Sequence, residues 1–183
     1  MRINDIIYFS PSLKLEDFDL DDKEVVLKYF DERITEYYIK PISSLLQGEQ
    51  AFAAGALQCL LIDALSRYSS EEDGVGKRIK SWCVKNLAIS EPVAASFYEF
   101  FRCGLLHESH IKQFGQFCFD EIFARPIVDH GGFVIVNPKY LHEAIKSFFK
   151  SFIEDLRTNE ELFQIFRDRL ESDFGAEVIR ARE

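Results

Sequence analysis

Two residues of complementary chemistry, Arg102 and His107, stand five positions apart in an apolar, aromatic stretch of the sequence. A histidine side chain ordinarily gains or loses a proton near neutral pH, so it suits general acid–base catalysis. An arginine guanidinium can hold two oxygens of a phosphate group at once and offset the charge of a phosphorane transition state. Together they are the minimum set that cleavage of RNA by its own 2′-hydroxyl group needs.

The spacing of the pair sets a geometric condition. In a straight α-helix, five residues rotate the chain through roughly 500°, which leaves Arg102 and His107 about 140° apart around the axis. Two arrangements would bring both side chains to one phosphate. The helix could be loosened at Gly104, the poorest helix former between them, or a second copy of the chain could complete the site across a two-fold axis.

The segment that contains the pair, with the letters FRCGLLHE, resembles the signature of the HEPN superfamily. That signature is an arginine followed by four to six residues and a histidine, at the end of a buried helix. The order of the surrounding helices extends the resemblance over residues 21–156. It implies a metal-independent endoribonuclease of toxin or defence type that works as a homodimer with a composite site, and that has an antitoxin or another protein as its partner.

The resemblance also implies a role for each residue of the signature. His107 is the general base or acid, Arg102 stabilises the transition state, and the product carries a 2′,3′-cyclic phosphate. Cys103 stands where many members have Asn, Asp or His, and Ser109 stands where some have a tyrosine that an antitoxin modifies by nucleotidyl transfer. Cys103 and the acidic charge favour an alternative, a non-catalytic HEPN module that binds nucleotide, RNA or a protein. A third interpretation is a helical scaffold with Arg102 in its dimer interface.

The net charge restricts where a nucleic acid can bind. With 22 Lys and Arg residues against 31 Asp and Glu residues, the chain carries −9 at neutral pH. A uniformly acidic surface repels RNA, so any RNA must be held by a local basic patch. The candidates for substrate binding lie in the short helix before the signature: Lys77, Arg78, Lys80 and Lys85. The alternative for these four is an ordinary solvated helix face.

The remaining residues that could carry chemistry predict neither a metal site nor a cofactor. The histidines and the carboxylate near the signature, His107, Glu108 and His110, have no further ligand at metal-binding spacing. No phosphate-binding glycine loop, nucleophile elbow or repeat is present in the sequence. Asp63 and Arg67 are predicted to form an ordinary ion pair four residues apart on one helix. They would line a site only if their face meets the signature helix.

The cysteines and the apolar stretches favour a cytoplasmic protein. The cysteines, none in a C-x-x-C pair, are Cys59, Cys83, Cys103 and Cys118. This pattern argues against a zinc ribbon or redox motif and suits a reducing compartment. Asp5 interrupts the apolar start, so no signal peptide is predicted. The longest apolar stretch, 51–62, contains Gln58 and is shorter than the ~20 residues of a membrane helix.

Length and periodicity predict one domain, residues 1–183, of the mainly α class. The expected architecture is a HEPN-like up-and-down helical bundle of about five to six helices. Asp21 is predicted to cap the first helix, Pro41 to kink it, and Thr158 with Glu161 to form a capping box for the last helix. The predicted helices are 21–46, 49–68, 75–87, 90–107, 137–157 and 159–174.

Three segments are predicted to lie outside the bundle. Residues 1–20 form an irregular N-terminal arm, and residues 175–183 form a charged tail that frays. Residues 111–137 form a β ribbon insertion of two short strands, about 114–119 and 131–136, because their β-branched and aromatic residues lie between glycines and prolines.

Overall fold

The computed structural model describes residues 2–3 and 6–183, and these residues are mainly helical, as predicted. Asp5, on which the prediction of no signal peptide depends, lies outside the described residues, as do Met1 and Asn4 of the predicted arm. The helices within the described part are α1 (Lys23–Ile34), α2 (Lys40–Gln47), α3 (Ala51–Tyr68), α4 (Val75–Leu87), α5 (Glu91–Phe97), α6 (Pro138–Thr158) and α7 (Glu160–Arg182). Within this part, no helix combines the length and the apolar character needed to cross a bilayer.

The central helix is α3, which packs against α2, α4, α6 and α7. Its residues Leu61, Ile62 and Leu65 are fully buried in one connected apolar core. The small residues of its first half let an aromatic ring come close: a Cβ at Gly55 would stand 2.1 Å from Cζ of Phe117. The thin surface therefore receives the β-sheet that follows the signature.

Two π-helical segments interrupt the regular helices, Thr35–Ile39 between α1 and α2, and Tyr98–Glu108 directly after α5. The first lies where Pro41 was predicted to kink the helix. Proline has no N–H to donate to the carbonyl four residues back. The chain widens by one residue instead, and the N–H of Lys40 donates to the carbonyl of Thr35. Helix α2 thereby continues from α1.

The N-terminal arm is more regular than predicted. Strand β2 (Ile6–Ser10) pairs in antiparallel fashion with β1 (Arg2–Ile3) and with β3 (Leu13–Lys14). Phe9 stacks on Phe18 with 3.9 Å between ring centroids, and both rings are fully buried. The arm is therefore part of the core, because burial of its aromatic residues offsets the entropy of ordering it.

The β ribbon after the signature is present, with a different pairing and a third strand. Strand β5 (Ile127–His130) and strand β6 (Phe133–Val136) form an antiparallel hairpin. Gly131 and Gly132 connect them with φ values of 62° and 88°, which glycine adopts at little cost. Strand β4 (Gly115–Phe117), which lies in the first predicted strand, pairs with β6 in parallel.

The N-caps of α1 and α7 differ from the predicted ones by one residue. The carboxylate of Asp22, rather than Asp21, accepts hydrogen bonds from the N–H groups of Glu24 and Val25. The side chain of Asn159 accepts from the N–H of Leu162 at the start of α7, in place of the predicted box of Thr158 and Glu161. Both of these helices still begin at a short polar side chain that accepts from their free N–H groups.

The predicted frayed tail instead continues α7 to Arg182. Val178 is buried against the core. The guanidinium of Arg182 donates to the carbonyl oxygens of Glu16 and Phe18, at 3.0 and 2.9 Å. The last two turns of α7 therefore hold the N-terminal arm in place.

Removal of residues 175–183 should lower the free energy of unfolding by about 2–3 kcal/mol. It exposes the part of the core that Val178 covers, and it removes both hydrogen bonds of Arg182. Denaturant titration measures the change. Arg180→Ala is the matched control, since Arg180 is exposed and its loss should cost less than about 0.5 kcal/mol. Equal stability of the truncated and full chains would show that the tail does not hold the arm.

Candidate functional site

The π-helical segment Tyr98–Glu108 brings Arg102 and His107 into contact. Nη1 of Arg102 lies 2.7 Å from Nε2 of His107. In a π-helix the backbone hydrogen bonds join residues five apart, so residues at that spacing stand above one another. The separation of about 140° expected for a straight α-helix therefore does not arise. The helix is widened rather than unwound, and one chain is enough to bring the pair together.

Gly104 makes the end of this segment possible. A Cβ at Gly104 would stand 2.4 Å from the carbonyl oxygen of His110. The N–H of His110 donates to the carbonyl of Gly104 at 3.2 Å. Ser109 ends the segment in the left-handed region, with a φ of 57°. The chain thus folds back over Gly104 immediately after His107.

Gly104→Ala is expected to destabilise the protein by about 1–3 kcal/mol, because its methyl group collides with backbone that has no room to move. Gly175→Ala is the matched control. A Cβ there meets only the flexible side chain of Glu171, at 3.3 Å, and alanine is the better helix former. Thermal unfolding of both variants tests this, and an unchanged melting temperature for Gly104→Ala would contradict the proposed close approach.

Tyr98 and Cys103 form a second pair five residues apart on the same segment. Burial, followed by the interaction with the Cys103 thiol, raises the pKa of Tyr98. The Tyr98 ring centroid lies 5.9 Å from the guanidinium carbon of Arg102. Gly76 provides the room for the ring, since a Cβ there would be 3.0 Å from Cζ of Tyr98. Cys103 is therefore engaged with the tyrosine beneath the arginine.

The carboxylate of Asp63 on α3 holds the guanidinium of Arg102. Its Oδ2 accepts a hydrogen bond from Nη2 of Arg102 at 2.7 Å, and its Oδ1 accepts one from Nη2 of Arg78 at 3.0 Å. Burial lowers the pKa of Arg102, but the bond to Asp63 and its charge outweigh that effect and raise the pKa. One carboxylate thus joins two guanidinium groups, and the face of α3 that carries it does meet the signature segment.

Arg67, the predicted partner of Asp63, turns to α7 instead. Its Nε donates to Oδ2 of Asp173 at 3.0 Å, and the hydroxyl of Tyr68 donates to the same oxygen at 3.1 Å. The two partners of Asp63 come from α4 and from the signature segment, which are distant in sequence. The predicted local ion pair is replaced by a tertiary one.

The side chains of the site differ in how far they are exposed to solvent. The side chains of Asp63 and Arg102 are 20% and 14% exposed, whereas His107 is exposed at the surface. Because a guanidinium only donates hydrogen bonds, Nε2 of His107 must accept this one. A neutral imidazole can make this bond with the lone pair of Nε2, and a protonated one cannot. A fixed cation and a basic nitrogen meet at a surface that solvent can reach.

The predicted basic patch divides into two parts. Lys77, Lys80 and Lys85 line one groove of about 660 Å³ between α4 and α5. Arg78 does not join them: it is 6% exposed and faces inward to Asp63. Lys77 is also paired with Glu72 at 2.9 Å. Three lysines thus remain as a basic surface, and the fourth residue belongs to the site around Asp63.

Lys112 lies beside the candidate site, and sequence reasoning did not single it out. Its Nζ lies 2.9 Å from Oε1 of Glu99 and 2.5 Å from Oε1 of Glu108, near opposite ends of the π-helical segment. The hydrogen bond to Glu108, followed by the one to Glu99, raises the pKa of Lys112. The four-residue spacing from Glu108 to Lys112 was the available signal.

No protein-family model matches the chain, and no curated protein and no solved structure shows a significant match to it.

Proposed function

We propose that this chain is a metal-independent endoribonuclease of the HEPN type. The observation that carries the proposal is the 2.7 Å contact between Arg102 and His107, on an arginine that Asp63 holds in place. The pair has the composition that RNA cleavage by the 2′-hydroxyl requires, and it lies where a phosphate can reach it. The test is cleavage of single-stranded RNA in EDTA by the unmodified chain and by variants of the pair.

The geometry suggests the order of events. An incoming phosphate attracts the Nη1 hydrogens of Arg102, which then leave Nε2 of His107 free to accept a proton. The 2′-hydroxyl gives its proton to that nitrogen while its oxygen forms a bond to phosphorus. The bond from phosphorus to the 5′-oxygen breaks, and that oxygen takes up the proton that the imidazolium of His107 gives back, which restores the neutral imidazole. The products are a 2′,3′-cyclic phosphate and a 5′-hydroxyl, and no water is consumed.

Arg102 stabilises the transition state because Asp63 fixes its guanidinium before the substrate arrives. Prepositioned charge costs no reorganisation during the reaction, which is why such groups are effective in catalysis. Asp63 is a positioning residue in this scheme, since its carboxylate oxygens are both occupied by arginines.

RNA binding is assigned to the groove of Lys77, Lys80 and Lys85. The double variant with Lys80→Glu and Lys85→Glu should bind single-stranded RNA about tenfold more weakly and show a shallower salt dependence, by about 0.7 in slope for each lost phosphate contact. Fluorescence anisotropy at several salt concentrations measures both quantities. Lys28→Glu with Lys150→Glu is the matched control, because these exposed lysines change the net charge equally. An equal loss of RNA affinity in both double variants would show that the groove is not the RNA-binding site.

A homodimer remains part of the proposal. Phe114 and Phe133 pack edge to face, 5.4 Å apart, yet are 58% and 47% exposed. Phe114 immediately precedes Gly115, which lies against Phe100 and Phe101 of the signature segment. An exposed aromatic pair beside the site is a suitable surface for a second copy. The role proposed for such an enzyme is that of a cytoplasmic toxin or defence nuclease, with an antitoxin or another protein as its partner.

A non-catalytic HEPN module is the second candidate. Two observations favour it: the Cys103 thiol interacts with Tyr98, and Nε2 of His107 already has a hydrogen-bond partner in Arg102. Salt-sensitive RNA binding through the lysine groove, without any cleavage, would select this candidate over the enzyme.

A further inference from the structure

Lys112 contacts both ends of the π-helical segment Tyr98–Glu108. Its Nζ lies 2.9 Å from Oε1 of Glu99, in the first turn, and 2.5 Å from Oε1 of Glu108, the last residue. Its backbone N–H donates to the carbonyl of Phe100 at 3.0 Å. The side chain of Lys112 is 19% exposed, so its ammonium group lies between the two carboxylates rather than in solvent.

The spacing of the two glutamates decides which kind of helix this bridge can span. Nine residues of regular α-helix rotate the chain through about 900° and rise about 14 Å, which would place Glu99 and Glu108 on opposite faces. In a π-helix the hydrogen bonds join residues five apart, so nine residues come close to two full turns and the two side chains lie on nearly the same face. One ammonium group can therefore reach both carboxylates in the π form and not in the α form.

The same difference between the two helices decides whether Arg102 and His107 meet. In the π form Nη1 of Arg102 lies 2.7 Å from Nε2 of His107, whereas an α-helix separates two side chains at this spacing by about 140°. The bridge is charged at neutral pH: the hydrogen bond to Lys112 lowers the pKa of Glu108, and the bonds to the carboxylates raise the pKa of Lys112. The ion pairs and the contact of the proposed catalytic pair thus depend on one backbone geometry.

We propose that Lys112, by bridging Glu99 and Glu108, selects the π form of this segment over the α form. Lys112 acts on the pair of Arg102 and His107 through the shape of the backbone, so it is a positioning residue. Without the bridge, part of the population returns to regular α-helix, in which the pair is separated. The effect on cleavage rests on the proposed ribonuclease function, whereas the effect on the segment does not.

Nitrogen NMR of the His107 imidazole tests the effect on the segment without RNA, and His107→Gln assigns its signals. At about pH 8.5, where a histidine is ordinarily neutral, the unmodified chain should show Nε2 unprotonated and Nδ1 protonated, because Nε2 accepts from Arg102. Lys112→Met keeps the apolar stem and the backbone N–H but removes the ammonium group. It should shift both ring nitrogens toward the mixture of tautomers of a free histidine. Glu99→Gln should do the same, because either change breaks the bridge.

Lys146→Met and Glu143→Gln are the matched controls. They make the same chemical changes in an ion pair within α6, whose partners lie 3.0 Å apart and are both exposed. Both controls should keep the imidazole signals of the unmodified chain. Glu99→Gln leaves Lys112 in place, so it also keeps the test decisive if Lys112→Met does not fold.

The effect on the reaction is measured on RNA cleavage. Lys112→Met and Glu99→Gln should each lower kcat about fivefold or more, since the rate follows the fraction of chains in the π form. KM should stay within about twofold, because RNA binding is assigned to the lysine groove on α4. The double variant should lose no more than the weaker single variant, because both changes break one bridge.

Three results would overturn the proposal. The imidazole signals could stay unchanged in Lys112→Met and Glu99→Gln, or they could change equally in the two controls. In a chain that cleaves RNA, kcat could stay unchanged in both variants, or their losses could add in the double variant. Altered imidazole signals in variants of a chain that cleaves no RNA would sustain the bridge and reject the ribonuclease.

Discussion

His107→Ala is expected to lower the rate of RNA cleavage in EDTA by roughly 10²- to 10⁴-fold, the contribution of a positioned general acid or base. Arg102→Ala should lower it by at least about 10²-fold, because the charge that develops on the phosphorane then has no prepositioned cation. Arg102→Lys should recover little, since an ammonium group lacks the fork that reaches His107, Asp63 and two phosphate oxygens together. Initial rates on a fluorescently labelled RNA measure all three effects.

His110→Ala is the matched control for the catalytic variants. His110 is exposed three residues from His107, and among the described residues its imidazole contacts Glu108 alone, so its loss should leave the rate within about twofold. All variants should keep the melting temperature of the unmodified chain within a few degrees, except where Arg102 is removed from Asp63. Unchanged cleavage in both His107→Ala and Arg102→Ala would eliminate the proposed enzyme.

Asp63→Ala is expected to have the second largest effect, on stability as well as on cleavage. It leaves the almost fully buried Arg78 without its carboxylate, and loss of one partner from a buried ion pair costs about 3–5 kcal/mol. Because the carboxylate is 20% exposed, the lower end of that range applies. Denaturant unfolding measures the stability, and the cleavage rate reports whether Arg102 is still held in position.

A double variant separates the two roles of Asp63. Asp63→Ala combined with Arg78→Met removes both buried charges, so it should regain much of the lost stability while cleavage stays low, because Arg102 still has no anchor. Glu143→Ala, which breaks the exposed pair with Lys146, should cost less than about 1 kcal/mol. Full cleavage activity in a stably folded Asp63→Ala chain would show that Arg102 needs no anchoring.

Part of this structure could be predicted from the sequence. The apolar periodicity placed the helices: the one predicted over 137–157 is α6, which begins at Asn137, whose side chain accepts hydrogen bonds from the N–H groups of Lys139 and Tyr140. The N-terminal arm was missed because its strands are short, and their order depends on Phe9 and Phe18 finding partners in the core. The turns of α7 after Phe174 were missed because their sequence is mostly charged and Val178 is their one buried residue. In addition, Arg182 binds carbonyl groups that are far away in the sequence.

The candidate site could likewise be predicted only in part. Arg102 and His107 could be chosen from their chemistry and spacing, and Gly104 could be recognised as the point where the helix yields. The π-helical turn could not be predicted, because it depends on the close approach of His110 over Gly104. The exchange of partners at Asp63 could not be predicted either. It requires α3, α4 and the signature segment to meet, which is a tertiary event that no local spacing encodes.

The chemistry of the cleaved ends tests the central claim most directly. Single-stranded RNA and DNA of the same sequence are incubated with the unmodified chain in EDTA, and the products are identified by mass spectrometry. The proposed site predicts RNA fragments with a 2′,3′-cyclic phosphate and a 5′-hydroxyl, and intact DNA, because DNA lacks the attacking 2′-hydroxyl. Cleaved DNA, RNA ends with a 3′-hydroxyl and a 5′-phosphate, or intact RNA with a folded protein would contradict it.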